Sequence, residues 1–142
     1  MPSIRFLAAA AGALLFAVAV PASAASSDPL AETVAQGQQL FAKSTFGGAG
    51  RTCDSCHVNG GKGPGEAGGH PLPSLENAAA IYPRFSQKAG RVMTLAAQIR
   101  HCIQGGLGAQ PPAYGSAELV ALETYLASLA HGQSLDMGGA PK

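Results

Sequence analysis

Apolar residues recur at helical spacing in three stretches of the chain. Leu30, Val34, Leu40 and Phe41 mark a first helix from Leu30 to Lys43, with Asp28 as its N-cap and Pro29 as its first helical residue. Leu95, Gln98, Ile99 and Cys102 fall at i, i+3, i+4 and i+7 on a second, Leu95 to Gln104, capped by Thr94 and closed by Gly105-Gly106. Leu119, Leu122, Tyr125, Leu126 and Leu129 form one broad face of a third, Ala117 to Ala130, capped by Ser116. A shorter helix from Leu75 to Ile81 ends at Tyr82, because a residue that precedes proline is disfavoured in the α region. Gly37 lies on the apolar side of the first helix. Glycine there costs about 1 kcal/mol against alanine, and the usual compensation is close approach of another backbone, so a second helix is expected to cross at that point.

Between these stretches the chain is rich in glycine and proline. Residues 44–50, 58–73 and 105–115 are expected to be irregular backbone, and the polar segment from His131 to Lys142 is expected to be a loose tail. No strand alternates with helix and no segment repeats. The pattern predicts an all-α domain of three to four helices.

Residues 1–24 have the layout of a signal peptide. Arg5 supplies the positive end, Phe6 to Val20 the apolar stretch, and Ala22-Ser23-Ala24 the small-residue cleavage site. That stretch is shorter than the ~20 residues a membrane span needs, so the expectation is an exported, periplasmic protein with no stable membrane insertion. The leader also inflates the hydrophobic fraction of 46%, and the remaining domain, 25–142, has no Trp and few aromatics to build a core. Its charge is close to neutral, which offers nothing to nucleic acid or to an anionic membrane surface.

The chemistry is concentrated in Arg51-Thr52-Cys53-Asp54-Ser55-Cys56-His57. Two thiols two residues apart, followed at once by a histidine, make the C-x-x-C-H run of covalent haem attachment. Each thiol can add across one vinyl group of a haem edge, and the adjacent imidazole can then bind iron from below. A dithiol redox motif would sit in a βαβ pattern, which is missing. A zinc site would need further ligands, and Cys56 and His57 are too close in sequence to chelate one small ion well. One covalent haem c is therefore expected on Cys53, Cys56 and His57, and its flat apolar body would supply the core that the composition lacks. A carbonyl of Pro64, Pro71 or Pro73 is expected to accept the Nδ1 hydrogen of His57. With Cys53 and Cys56 used as thioethers, Cys102 is left as an unpaired thiol in an oxidising compartment, which calls for an explanation.

The order helix, haem run, Gly/Pro loop, helix, loop and final helix resembles class I c-type cytochromes over nearly all of residues 25–142. Gly37 and Phe41 on the first helix and Tyr125 on the last resemble that family's crossing pair. The segments Tyr82-Pro83-Arg84-Phe85, Ala89-Gly90-Arg91-Val92-Met93-Thr94-Leu95 and Gln98-Ile99-Arg100-His101-Cys102 resemble the haem domain of thiosulfate dehydrogenases and related sulfur-oxidation cytochromes. The resemblance implies that Cys102 binds the iron opposite His57. Gln104-Gly105-Gly106 replaces a polar run found in that family, and its second haem domain has no counterpart here.

Other donors remain to be weighed. The loop from Ile103 to Gly115 holds no Met, His or Lys, so the methionine of ordinary class I cytochromes is missing from its place. Met93 reads as core filler and Met137 as a tail residue. His101 is rotated about 100° from Cys102 around the helix, so only one of the two can face the iron; the apolar stripe and the unpaired thiol both favour Cys102. An open coordination site is the remaining option. His70 and His131 read as solvent-facing, and Arg84, Lys88, Arg91 and Arg100 as a basic face that could also meet haem propionates or an anion.

The main expectation is a periplasmic monohaem cytochrome that passes single electrons to a redox partner protein, more an electron-transfer protein or subunit than a stand-alone enzyme, as a hetero- or homodimer if it is not a monomer. Thiolate ligation would give it a low midpoint potential. The alternatives are a sulfur-anion oxidoreductase of the thiosulfate dehydrogenase type and a gas-binding haem protein.

Overall fold

A computed structural model describes residues 28–142; the expected signal peptide lies outside them. Helix α1 spans Pro29–Lys43, α2 Ala78–Ile81, α3 Leu95–Gly106 and α4 Ala117–Leu129. The three long helices start where expected, each with its cap in place. Asp28 accepts from the Leu30 N–H, Thr94 Oγ1 from Ala97 and Ser116 Oγ from Leu119, which satisfies amide groups that have no partner within the helix.

Helices α1 and α4 cross at Gly37. A methyl group on Gly37 would collide with the Ala121 carbonyl and with Cβ of Tyr125, so the expected close backbone approach is what the glycine permits. One turn later Phe41 packs on Tyr125, with ring centroids 5.5 Å apart and planes tilted by 59°. These rings join Ile99, Ile103, Leu107 and Leu119 in one buried cluster that ties α3 to the crossing pair. No described helix is long and apolar enough to cross a membrane.

The connecting segments hold more structure than composition suggested. Within 58–73 the chain makes a single 3₁₀ turn, Asn59–Gly61, and a hairpin of β1 (Gly65–Ala67) and β2 (His70–Leu72). Gly68 and Gly69 form its two-residue turn with φ of 58° and 80°, the left-handed pair that tight hairpins require. A second hairpin pairs β3 (Arg84–Ser86) with β4 (Arg91–Met93), in register Arg84 with Met93, Phe85 with Val92 and Ser86 with Arg91. Both are two-stranded inserts on a helical frame.

Two helix ends differ from expectation. Helix α3 runs through Gly105 to Gly106, with Leu107 as its C-cap, because the left-handed residue that follows is Gly108, with φ of 65°. Helix α2 begins only at Ala78. Asn77 stands at its N-cap but does not cap it, since its side chain is engaged elsewhere: Nδ2 donates to the Ala140 carbonyl at 2.9 Å and Oδ1 accepts from the Lys142 N–H at 3.2 Å.

That engagement corrects the expectation of a loose tail at 131–142. The Asp136 and Gly138 amides donate to the Ala80 and Ile81 carbonyls, each at 2.9 Å, and the Ser74 amide donates to the Lys142 carbonyl at 2.9 Å. The tail is thus laced to the free carbonyls at the end of α2, a long-range pairing that its local polarity gave no sign of.

Candidate functional site

The elements enclose a cleft of about 600 Å³ lined by Cys53, Cys56 and His57 and by residues of α3 and the β3–β4 hairpin. Its walls are mainly apolar, with Leu72, Leu75, Ile81, Leu95, Ile99 and Leu126 among them. Pro141, carried in by the tail, also lines it.

The Cys53–Ser55 turn sets the first wall. Thr52 and Ser55 cap each other across it, the Thr52 amide donating to Ser55 Oγ at 2.9 Å. The His57 amide donates back to the Cys53 carbonyl at 3.0 Å, which folds the three residues onto the cleft. Asp54 accepts from the Gly60 amide at 2.8 Å and Tyr125 donates its hydroxyl to the Gly60 carbonyl at 2.8 Å, so the turn is anchored to α4. Gly65 lies so close to the Cys56 carbonyl that a Cβ would strike it.

Burial lowers the pKa of His57, which keeps its imidazole neutral and fit to donate a lone pair. The buried Nδ1 has no hydrogen-bond partner, so none of the expected proline carbonyls reaches it. Cys53 is pushed up to about 12, first by burial and then by the thiol of Cys102 across the cleft. The reciprocal influence on Cys102 comes from Cys56. The three thiols therefore share one site although Cys102 is far from the others in sequence.

Cys102 is carried by α3 and its sulfur is reachable from the cleft. The surrounding walls raise its pKa, while a hydrogen bond from Gln98 and the charge of Lys88 pull it back. Gln98 sits one turn earlier and donates Nε2 to Cys102 Sγ at 3.2 Å, the i, i+4 spacing at which helical side chains meet. Arg84, Ser86 and Lys88 of the hairpin line the same cleft. His101 also reaches the cleft, whereas Met93 is buried in the core at 2% exposure and Met137 is exposed in the tail. His70 and His131 are exposed, and neither borders the cleft.

These donors suit a c-type haem. Two thiols and a neutral imidazole follow one another in sequence, a further sulfur from α3 lines the same cleft, and much of the remaining lining is apolar. Sequence reasoning passed over two contributors. Gln98 was visible only as part of a helical stripe, though its spacing from Cys102 is the signal that could have found it. Pro141 had no local signal, because its place depends on the tail pairing with Asn77.

Comparison with known proteins places this geometry. The family model for the SoxA/TsdA cytochrome c domain matches residues 36–135, a span that holds both walls of the cleft. The L-cysteine S-thiosulfotransferase subunit SoxA of Hydrogenobacter thermophilus is 28% identical over 102 residues, covering 72% of this chain and 35% of that protein. The thiosulfate dehydrogenase of Stutzerimonas stutzeri is 28% identical over 99 residues, 66% of this chain and 30% of that one. Among solved structures, thiosulfate dehydrogenase (TsdBA) from Marichromatium purpuratum aligns with TM-score 0.62 and 27% identity over 82% of this chain and 27% of its own. SoxXA from P. pantotrophus aligns at TM-score 0.60 and 17% identity, over 78% of this chain and 37% of its own, which bears on the fold. The chain spans about a third of the length of the curated relatives.

The expectation of an electron-transfer protein or subunit more than a stand-alone enzyme is overturned, because the matched proteins are named for catalysis, as a thiosulfotransferase subunit and as thiosulfate dehydrogenases. The chain belongs to the SoxA/TsdA cytochrome c domain family, a c-type cytochrome domain of sulfur-compound oxidation.

Proposed function

We propose that this chain is the haem-bearing catalytic domain of an exported sulfur-anion oxidoreductase, with thiosulfate as the substrate class. Cys53 and Cys56 would hold one haem c as thioethers, His57 would bind its iron, and Cys102, which lines the same cleft, would be the further sulfur ligand. The group supplies a one-electron couple when bound. The observation that carries this reading is that Cys102, Arg84 and Lys88 line the same cleft as the C-x-x-C-H run, with Lys88 close enough for its charge to act on the Cys102 thiol.

The residues divide the work by their chemistry. Arg84 and Lys88 attract and hold a small oxyanion, and the low polarity of the neighbouring walls strengthens that attraction. Gln98 keeps the Cys102 sulfur turned toward the cleft and favours its deprotonated form. Joining two thiosulfate ions through a sulfur–sulfur bond breaks no other bond and releases two electrons; a haem held by Cys53, Cys56 and His57 would supply the one-electron couple to accept them, with a redox partner protein as the final acceptor. Export through the residue 1–24 leader supplies the periplasmic setting where such a domain matures.

The test is turnover of the exported holoprotein with thiosulfate and ferricyanide, analysed for tetrathionate. Formation of tetrathionate in proportion to acceptor reduced is expected, with loss of about two orders of magnitude or more in Cys102→Ala, the scale on which removal of a group acting in the transition state is felt. Absence of turnover both alone and with an added partner cytochrome would remove the reading.

A further inference from the structure

We propose that Tyr82 selects for the oxygen end of the sulfur anion: its hydroxyl donates a hydrogen bond to an oxygen of bound thiosulfate, in the cleft that Arg84 and Lys88 also line. This rests on the catalytic reading above and deepens it, because it names a group that tells one end of the substrate from the other.

Tyr82, Arg84, Ser86 and Lys88, every second residue of their segment, all line the cleft, in keeping with the period of two of extended chain. Electrostatics ties Tyr82 to the reactive part of the lining. Arg84 and Cys102 both lie near enough for their charges to act on the Tyr82 hydroxyl, and Lys88 acts in the same way on Cys102. Among the described residues no Asp or Glu lines the cleft, so no carboxylate there opposes an anion.

The hydroxyl is positioned and unengaged. Tyr82 follows α2 directly, and its amide donates to the Ala78 carbonyl at 3.3 Å. The next carbonyls, those of Ala80 and Ile81, each accept an amide of the tail at 2.9 Å, so the ring is carried on backbone that two elements hold in place. The Tyr125 hydroxyl is engaged with the Gly60 carbonyl, whereas the influences on the Tyr82 hydroxyl include no hydrogen bond among the described residues. Burial raises its pKa, an effect that Arg84 opposes and Cys102 reinforces. The phenol therefore keeps its proton and stays a donor at neutral pH.

Thiosulfate has a hard end of three oxygens and a soft terminal sulfur. The charges of Arg84 and Lys88 attract the ion as a whole, while an O–H donor in a fixed place bonds well to oxygen and poorly to sulfur. An anion held by its oxygens leaves its terminal sulfur free to form the sulfur–sulfur bond.

The experiment titrates the ferric holoprotein with sulfate, which has the oxygens and no terminal sulfur to oxidise, in a calorimeter. Tyr82→Phe, which keeps the ring and deletes one oxygen atom, is expected to raise Kd about tenfold, the effect of one hydrogen bond to a charged acceptor. The factor should be the same at low and at about 0.2 M ionic strength, because the lost donor is uncharged; the factor for Arg84→Gln should shrink with salt. Tyr114→Phe, which alters an exposed ring under Arg100, should bind sulfate as the parent does. In the thiosulfate assay Tyr82→Phe should raise KM by the factor seen for sulfate, since a bond to the non-reacting oxygens is made equally before and in the transition state. An unchanged sulfate affinity in Tyr82→Phe, or no sulfate binding by the parent, would overturn the proposal. So would a weaker affinity that comes with a lower melting temperature or a shifted Soret band, which would give the hydroxyl to the fold or to the haem. Sulfate binding needs no turnover, so a failed thiosulfate assay beside a Tyr82-dependent affinity would sink the catalytic reading and leave the oxyanion contact standing.

Discussion

Cys102 and Gln98 form a unit in which one side chain sets the chemistry of the other. The amide of Gln98 donates to the sulfur at 3.2 Å and counters the burial that raises the thiol pKa. Gln98→Leu is therefore expected to push the thiol higher and slow its alkylation at pH 8, measured with iodoacetamide in a Cys53→Ala/Cys56→Ala background that leaves one reactive cysteine. Gln98→Glu should slow it further, because a carboxylate repels the thiolate. Equal alkylation rates in all three proteins would show that the hydrogen bond does nothing. In the holoprotein the same loss should move the midpoint potential in the negative direction, since a sulfur relieved of its donor gives more electron density to iron.

At the scale of single elements, the α1–α4 crossing depends on the absence of one methyl group. Gly37→Ala would drive a Cβ into the Ala121 carbonyl, and since backbone cannot yield as a side-chain end does, the helices must separate. A loss of about 1–3 kcal/mol or more is expected in urea denaturation of the holoprotein, where alanine in an unhindered helix would have added stability. Tyr125→Phe keeps the packing on Phe41 and deletes only the hydrogen bond to the Gly60 carbonyl, so a smaller loss of about 1 kcal/mol is expected. If the two variants cost the same, the crossing is not the tight contact described.

What was legible in the sequence at this scale follows from how local each signal is. The three long helices were readable because caps and apolar spacing are properties of neighbouring residues, and Gly37 announced its crossing because an interior glycine needs a reason. The hairpins were not read. Gly68-Gly69 is a turn signal, but strands of three residues are too short to show alternation, and the run of glycines and prolines hid the pairing. The end of α3 was misplaced because Gly105 and Gly106 look like a stop, whereas only Gly108 adopts the left-handed conformation that makes one. The tail was the least legible, since its partners are the Asn77 side chain and the carbonyls of Ala80 and Ile81, more than fifty residues away in the chain.

For the whole molecule, the titrating groups define a pH window. In the haem-free chain His57 has a lowered pKa, so the unfolded state binds the extra proton first as pH falls below 6.5, and stability is lost in that direction. Cys53 is raised from 9.0 to about 12 and Tyr125 is raised from 10.0, both chiefly by burial. The unfolded chain then releases those protons first, and stability falls as pH climbs past 9.0. A plateau between those limits is expected in denaturation of the haem-free chain. In the holoprotein Cys53 and His57 are committed to the haem, so the acid arm attributable to His57 should vanish and the alkaline arm of Tyr125 should remain, visible as tyrosinate absorbance in a chain that has no Trp. A holoprotein with the same acid arm as the haem-free chain would mean that His57 still titrates freely.

The candidate site itself was legible in halves. The C-x-x-C-H run is a contiguous string whose chemistry demands that spacing, and Cys102 stood out as an unpaired thiol on the apolar side of its helix. Their meeting at one cleft, which Arg84 and Lys88 also line, is a property of the folded molecule alone. The claim on which the account turns is that this cysteine faces His57 across the haem. Electron paramagnetic resonance of the ferric holoprotein, beside Cys102→Ala, tests it most directly. The account predicts a low-spin signal of thiolate ligation that is lost in the variant; a signal of histidine/methionine or bis-histidine type, unchanged by the substitution, would contradict it.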